Sequence, residues 1–298
     1  MADFAQLTVG GLGLGTAYAL IALGFVVIYK SSRIFNFAHG EMLSVGAFSM
    51  TSLLAAGLPW PVALLVAMAV TGAVSVGVER IIIRPMIGRP VFVTVILTLF
   101  VAYLLRAAVI IVWGTEMRSM PTPWSAMGSV SLGTAVLSYN SLAAIAAGAV
   151  AVLLFLAALK YTRLGIAMRA IYADQEVALA LGIPVGRMFS ATWFLAGMYA
   201  ALAGVFLSMF PRSLDANLGY VAFLAFPALI VGGMSSVVGT VIAAVLLGLS
   251  EVWAQAYLEP LLGRFGPGIH EVAPYLVMIA ILIVKPYGLF GRAEVERV

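Results

Sequence analysis

Residues 7–29 read LTVGGLGLGTAYALIALGFVVIY, an apolar run without a single charged side chain. A helix needs about 20 consecutive apolar residues to cross the hydrocarbon core of a bilayer. Because this run is long enough and uncharged, it predicts a membrane-spanning helix. The rest of the chain repeats the pattern, since charged residues stand mainly at intervals between further apolar runs.

The composition supports the same interpretation. Of 298 residues, 63% are hydrophobic and 9% are charged, whereas an ordinary soluble domain has about 25% charged residues. So few polar groups cannot cover a soluble surface, and we expect lipid around most of the chain. The net charge of +4 indicates orientation in a membrane rather than nucleic-acid binding. With no cysteine, disulfides and thiolate chemistry are excluded.

Charges and turn signals divide the chain into spans. The uncharged stretch between Glu41 and Glu79 is too long for one helix, and the Pro59–Pro61 region predicts a hairpin. The Gly232–Gly233 pair predicts a break within another uncharged stretch. The expected spans are 7–29, two within 41–79, 91–113, 141–159, 188–210, one or two within 216–250, and one from about 266 to 284, with polar loops at 114–139, 160–187 and 251–271. The sequence therefore predicts an all-α, polytopic transmembrane helix bundle of eight or nine spans with broken helices, in a single domain over 1–298.

Basic residues in short loops mark the cytoplasmic side of a membrane protein. They cluster in alternate loops and at the end of the chain: Lys30, Arg33, Arg80, Arg84, Arg89, Lys160, Arg163, Arg169, Arg187, Lys285, Arg292 and Arg297. This pattern predicts an outside N-terminus and an inside C-terminus. Such an orientation requires an odd number of crossings, which is satisfied if the chain turns round at Gly232–Gly233.

Enzyme motifs are not found in the sequence. It has no H-E-x-x-H metal helix, and its two histidines, His39 and His270, are far apart. It also has no G-x-x-x-x-G-K-[ST] phosphate loop, so we expect no ATP binding of the P-loop kind.

Two places next to the apolar runs carry polar groups that are costly to expose to lipid. The first is SSRIFNFAHGE at 31–41, where Asn36 and His39 would share a face if the segment were helical and Gly40 permits an unwound backbone. It indicates either a broken helix end near a translocation path or a solvated cytoplasmic connection. The second is Arg106, which lies inside an expected span. Its side chain could extend outward to the membrane surface or form a structural pair, or it could be a functional charge.

A third segment, RAIYADQEVALALGIP at 169–184, predicts a short amphipathic helix. Gly182 is a stop signal and Pro184 prevents continuation. Apolar Val177, Leu181 and Ile183 beside Asp174 and Glu176 suit either a surface that docks a partner or a helix lying at the membrane interface.

These segments resemble a known family. Glu176-Val177-Ala178-Leu179-Ala180-Leu181-Gly182 is similar to the E-A-A-x-x-x-G loop of ABC importer permeases, with valine for one alanine. Asn36-Phe37-Ala38-His39-Gly40-Glu41 resembles the N-F-A-H-G-E signature of the LivH-like branched-chain amino acid permeases. Gly232, Gly233, Gly239 and the ending Lys285-Pro286-Tyr287-Gly288-Leu289-Phe290-Gly291 fit as well, so the matches extend from about residue 10 to residue 291.

The resemblance implies a permease subunit in the bacterial inner membrane, without its own ATPase site or a bound cofactor. A periplasmic binding protein would deliver the substrate, a second, homologous permease subunit would complete the pathway, and two cytoplasmic ATP-binding subunits would use ATP; nucleic acid is not an expected partner. The expected pathway residues are Asn36, Phe37, His39, Gly40, Glu41, Thr94, Thr98, Gly232, Gly233 and Ser235. The expected contacts to the ATP-binding subunit are Arg169, Asp174, Glu176, Ala178, Gly182, Ile183, Pro184 and Arg187.

The sequence leaves other functions open. Permeases of the same family carry urea, short amides or aromatic acids, and the sequence does not choose among these substrates and branched-chain amino acids. A stand-alone channel or secondary carrier is a further alternative, although such proteins often hold an ion-coupling carboxylate deep in a span. Here the acidic residues are expected at the edges of loops.

Overall fold

The computed structural model describes residues 2–86, 88–132, 135–209, 211–234 and 236–291, and these form a helical bundle. The helices are α1 (Ala2–Ser32), α2 (His39–Ala55), α3 (Trp60–Val78), α4 (Val91–Trp113), α5 (Tyr139–Tyr161), α6 (Arg163–Ala173), α7 (Gln175–Ala180), α8 (Val185–Leu207), α9 (Val221–Gly232), α10 (Val237–Trp253), α11 (Glu259–Leu262) and α12 (Ile269–Val284). An antiparallel hairpin of β1 (Ser129–Leu132) and β2 (Ala135–Ser138) precedes α5, with Ser129 opposite Ser138.

Helix α1 is the central element of the bundle. It packs against α10, α8, α5 and α9. Of its most apolar stretch, 89% is buried within the bundle, against 17% for α4. Small residues make this packing close. A side-chain carbon at Gly15 would lie 2.7 Å from Cα of Val245 in α10, and one at Gly11 would lie 3.0 Å from Cα of Leu249. Helices in lipid associate mainly through such van der Waals contacts, which glycine permits by letting the backbones approach.

Most of the expected spans are confirmed as helices. The span expected at 91–113 coincides with α4, and those at 7–29 and 141–159 lie within α1 and α5. The expected hairpin separates α2 from α3, and Gly57 takes a φ of 86° there. The span expected at 188–210 begins three residues earlier, at Val185; its last residue, Phe210, lies outside the described residues.

The expected polar loop at 251–271 is wrong in its first half. The helix that starts at Val237 continues past Glu251, through a π-helical turn at 254–258, to Leu262. The physical reason is that Glu251 is buried and paired. It accepts a hydrogen bond from the Tyr18 hydroxyl (2.5 Å) and lies 3.6 Å from Arg212. An acidic residue with such partners does not need to end a span.

The number of spans is not confirmed as eight or nine. Six helices in the described part of the chain are long and apolar enough to cross a membrane: 4–32, 60–86, 92–113, 139–161, 185–207 and 237–262. Two apolar helices, Leu218–Gly232 and Ile269–Val284, are shorter, and α2 has 17 residues. The break at Gly232–Gly233 is a turn, because α9 and α10 pack against each other on its two sides.

We expect the glycine contacts of α1 to determine the stability of the bundle. Replacing Gly15 by alanine places a carbon against Val245, and such overpacking typically costs about 1–3 kcal/mol. Gly15→Ala should therefore lower the thermal unfolding midpoint of the purified protein in detergent. The matched control is Gly10→Ala, in the same helix, where the added carbon meets nothing within 4 Å. Equal midpoints for the two variants would contradict the close packing.

Candidate functional site

The segment 31–41 lies where the chain leaves α1 and enters α2. Helix α1 ends at Ser32, residues 33–38 are not helical, and α2 begins at His39. The condition under which Asn36 and His39 would share a helical face is therefore not met, because Asn36 precedes the helix. Its side chain instead accepts a hydrogen bond from the amide of Ala38 (3.1 Å) and turns the chain toward α2.

The start of α2 lies deep in the bundle. His39 is fully buried, its ring packs against Phe25 with the centroids 4.8 Å apart, and a side chain at Gly24 would collide with it. Ser32 lies about 12 Å further along α1 at roughly 1.5 Å per residue. The non-helical segment 33–38 thus carries the chain from the end of α1 back to the level of Gly24, about two helical turns before that end.

Thr98 of α4 supports this segment. Its hydroxyl accepts a hydrogen bond from the amide of Phe37 (3.2 Å) and is itself 3.4 Å from the carbonyl oxygen of Phe35. A backbone group that is not in a helix must find a partner where water is excluded. Thr98 supplies one, and it is fully buried, as is Thr94 one turn earlier with 2% exposure.

Three of the expected pathway residues line one small cavity. Phe37, Gly40 and Glu41 surround about 60 Å³ together with residues of α4 and of the 218–223 region; we call it the Glu41 cavity. Glu41 is only 6% exposed. Gly40 is helical, so an unwound backbone is not the reason for this glycine. A carbon added to Gly40 would lie 2.5 Å from the carbonyl oxygen of Gly219, and the close approach of these two segments requires a glycine.

Sequence reasoning did not place Arg106 in this cavity. Its guanidinium donates a hydrogen bond to the side-chain oxygen of Asn217 and lies 4.3 Å from the ring centroid of Tyr220. The signal was present, since an arginine within an apolar run is costly to leave in lipid. What could not be read from the sequence is that α4 brings Arg106 to the cavity that Glu41 also lines.

Two further expected pathway residues, Gly232 and Gly233, do not line this cavity. Gly232 ends α9 and packs against Thr240, whereas Gly233 takes a φ of 90° and packs against the backbone of Gly291. Ser235 lies outside the described residues, as do Arg292 and Arg297. The role of these residues in a pathway stays a prediction.

The loop at 160–187 contains two helices. The expected single helix over 169–184 is wrong, because Asp174 ends α6 and starts α7. Its carboxylate accepts hydrogen bonds from the amides of Glu176 (2.9 Å) and Val177 (3.0 Å), a side-chain cap that satisfies the first turn of α7. Gly182 takes a φ of 82° after α7, so the expected stop signal is confirmed. Pro184 then directly precedes α8.

One face of α7 is buried and the other is exposed. Ala178 is 1% exposed and packs with Ile171, Val185 and Phe189. Five of the exposed side chains in α7 and directly beside it form what we call the α7 surface: Asp174, Glu176, Val177, Leu179 and Leu181. A cavity of about 640 Å³ adjoins this surface, lined by Gly88, Asp174, Gln175, Glu176, Leu179 and Val185. Arg169 and Arg187 are exposed beside it, and Ile183 is half-buried.

Charged side chains fasten this region to the bundle. The guanidinium of Arg84 donates to both carboxylate oxygens of Glu79 (2.8 and 3.0 Å) and to the carbonyl oxygen of Gly186 (2.7 Å). Arg33 donates to the carbonyl oxygen of Tyr172 (3.2 Å). The Arg84 contacts join the end of α3 to the start of α8, and the Arg33 contact joins the non-helical segment to α6. Sequence reasoning used Arg84 and Arg33 only as markers of orientation.

Residues 7–283 match the family described as branched-chain amino acid transport system / permease component. The chain is 29% identical to the high-affinity branched-chain amino acid transport system permease protein LivH of Salmonella typhimurium, over 99% of this chain and 98% of that protein. It is also 29% identical to the corresponding protein BraD of Pseudomonas aeruginosa, with the same coverage. In fold it is similar to PsaBC from Streptococcus pneumoniae, with a TM-score of 0.52, 11% identity, and coverage of 96% and 93% of the two chains.

We expect the Thr98 hydroxyl to hold the non-helical segment in place. Thr98→Val removes the acceptor of the Phe37 amide, and a typical hydrogen bond contributes about 0.5–1.5 kcal/mol. Amide hydrogen exchange in the segment, followed by mass spectrometry, should become roughly three to ten times faster. In the control Thr8→Val, which removes a hydroxyl bonded to Phe4 at the exposed start of α1, the exchange in 33–38 should not change. Unchanged exchange in Thr98→Val would show that the hydroxyl is dispensable.

Proposed function

The chain belongs to the family of branched-chain amino acid transport system permease components, and from that membership we propose that it is a membrane subunit of an ATP-driven importer. Its substrate class is branched-chain amino acids, as the names of its relatives LivH and BraD state for those proteins. The observation that carries this proposal is the match over residues 7–283. The helical bundle with six long apolar helices among the described residues agrees with a multi-pass membrane protein.

The α7 surface supports the proposal that ATP is used by another chain. It combines a capped short helix, exposed Leu179 and Leu181 at 63% and 75%, and exposed acidic groups. Apolar side chains that far exposed outside a long apolar helix are typical of a docking surface. In our proposal the α7 surface and the adjoining cavity receive a cytoplasmic ATP-binding subunit, two of which serve the complex. This chain itself is not an enzyme and holds no cofactor.

The pathway in this proposal runs past the non-helical segment 33–38 and the start of α2. Broken helices at mid-depth are how many transporters present backbone groups to a substrate. Asn36, Phe37, His39, Gly40, Glu41 and Thr98 contribute to it. A second, homologous permease subunit forms the other half, and a periplasmic binding protein delivers the amino acid.

The proposed orientation places α6 and α7 in the cytoplasm of a bacterium, with the chain in the inner membrane. Its support is the clustering of basic residues at one end of the bundle, where Arg33 contacts Tyr172 and Arg84 contacts Gly186. At the other end, Trp60 donates a hydrogen bond to the carbonyl oxygen of Pro121 and Trp113 donates one to Ser52. Tryptophan is enriched at membrane–water interfaces. The N-terminus is then outside and the C-terminus inside.

Orientation can be tested with single cysteines, because the chain has none of its own. Arg163→Cys lies at the exposed start of α6, and Met127→Cys lies in the loop before β1, where the methionine is 78% exposed. A membrane-impermeant maleimide should label the Met127→Cys variant in spheroplasts and the Arg163→Cys variant in inside-out vesicles. The reverse pattern would refute the orientation and, with it, the ATP-binding subunit at α7.

Coupling to ATP can be tested with two double variants. Glu176→Ala with Gly182→Ala alters the α7 surface and strains the positive φ after it. In proteoliposomes with the ATP-binding subunits and binding protein, ATP-dependent leucine uptake should fall by roughly tenfold or more, while membrane insertion and basal ATP hydrolysis remain.

The matched control is Glu116→Ala with Gly57→Ala, an exposed acidic residue and a glycine with a φ of 86° elsewhere in the chain. Both glycines have open space around the added carbon, so the backbone strain is similar in the two double variants. Equal uptake by the two proteins would exclude α7 as the coupling element.

A further inference from the structure

The Glu41 cavity holds two opposite charges that do not pair with each other. The ion pairs seen among the described residues are Arg84–Glu79, Arg212–Glu251 and His270–Glu259. Glu41 comes from the first turn of α2 and Arg106 from α4, and both line the same 60 Å³. A carboxylate and a guanidinium that share a water-poor cavity without direct contact leave space for a third group between them.

Each of these charges has an unused hydrogen-bonding atom. Oε2 of Glu41 and Nη1 of Arg106 are buried and have no hydrogen-bond partner within the described part of the protein. Only 6% of the Glu41 surface is exposed to solvent. A buried donor or acceptor without a partner raises the free energy of the folded protein, and the penalty is larger for charged groups. The rest of the Arg106 guanidinium is fixed by Asn217 and by the face of Tyr220, so the free Nη1 is held in place.

The wall of the cavity is aromatic. Phe37, Tyr103, Tyr220 and Phe223 line it, and Phe37 stacks on Phe223 with the centroids 6.2 Å apart. Its outer rim is open, because Tyr103 is 68% exposed and Tyr220 is 52% exposed. Charges that opened directly onto lipid would be expensive. The rim therefore belongs against another protein surface, which the second permease subunit of the proposed function supplies.

We propose that the Glu41 cavity is a binding site for the head group of a free α-amino acid with an apolar side chain. The ammonium group is bound by Glu41, the carboxylate is bound by Arg106, and the side chain lies against the aromatic wall toward the rim. This inference rests on the proposed function and deepens it, because it assigns the residues that recognise the substrate in this chain.

The chemistry of the cavity discriminates among ligand classes. An anion without an ammonium group would leave Glu41 unpaired and repelled, and a simple cation would do the same to Arg106. A neutral amide or urea can hydrogen-bond to both groups through its N–H and its C=O, but it neutralises neither charge. A zwitterion neutralises both charges as well, and the 60 Å³ of the cavity suit a compact polar head group of a few non-hydrogen atoms. The larger apolar side chain then has to extend along the aromatic rings.

The test uses the complete complex in proteoliposomes, with its ATP-binding subunits and binding protein, and photo-leucine as the probe. This zwitterionic branched-chain analogue forms a covalent bond to nearby residues under light. We expect labelled peptides to include Phe37, Tyr103, Tyr220 or Phe223. Glu41→Gln and Arg106→Gln should each reduce this labelling and leucine uptake by about tenfold or more, as loss of a charged hydrogen-bond partner does.

The matched controls are Glu116→Gln and Arg264→Gln, both at exposed positions outside the cavity, and they should label and transport as the unaltered protein does. Tyr103→Ala, at a largely exposed ring, provides a variant that does not touch either buried charge. It should lower labelling while the unfolding midpoint stays unchanged. This variant keeps the test decisive if Glu41→Gln fails to fold.

The outcomes separate the two proposals. If the unaltered complex takes up leucine only with ATP, yet photo-leucine labels other regions or the cavity variants transport normally, the site is refuted and the importer function stands. If the unaltered complex shows no ATP-dependent leucine uptake, the proposed function fails and the site assignment fails with it. Labelling in the cavity that depends on both Glu41 and Arg106 supports the inference.

Discussion

Close contact between helix backbones at α1 is the constraint on which the remaining architecture depends. In lipid there is no hydrophobic driving force between apolar helices, so they associate through van der Waals contacts and hydrogen bonds. Gly11 and Gly15 bring α1 against α10, and Gly24 leaves the volume that the His39 ring occupies. The same rule applies between α8 and α2, where a side chain on Gly204 would overlap the backbone of Leu43. Small residues thus fix the central helix, and the polar segment is positioned relative to it.

The second requirement is that every backbone group away from water has a partner. Regular helices meet it internally, but residues 33–38 do not form one. Asn36 and Thr98 supply side-chain partners at two points, so the chain can be non-helical at depth without leaving these amides unpaired. The last of these residues, Phe37 and Ala38, lead directly into the first turn of α2, which carries Gly40 and Glu41 into the cavity.

The sequence predicted what depends on local composition. The run 91–113 has no turn residue and gave the bounds of α4 correctly, and proline and glycine located the hairpin between α2 and α3. It failed where a distant partner changes the meaning of a residue. Glu251 seemed to end a span, but Tyr18 and Arg212 pair with it inside one. Likewise, no pattern of spacing could show that Arg106 shares a cavity with Glu41, because helix packing alone decides which side chains meet.

The hydrogen bond from Arg33 to the carbonyl oxygen of Tyr172 joins two parts of the chain that sequence places far apart. The same guanidinium lies 5.0 Å from the centroid of the Tyr172 ring, so Arg33 grips both the backbone and the side chain of that residue. Arg33 is also the first residue after α1, and its φ of 55° is a conformation under torsional strain. A displacement of α6 therefore acts on a side chain whose own backbone is already strained. Arg33 thus links α6 to the point at which the chain leaves α1 and returns into the bundle.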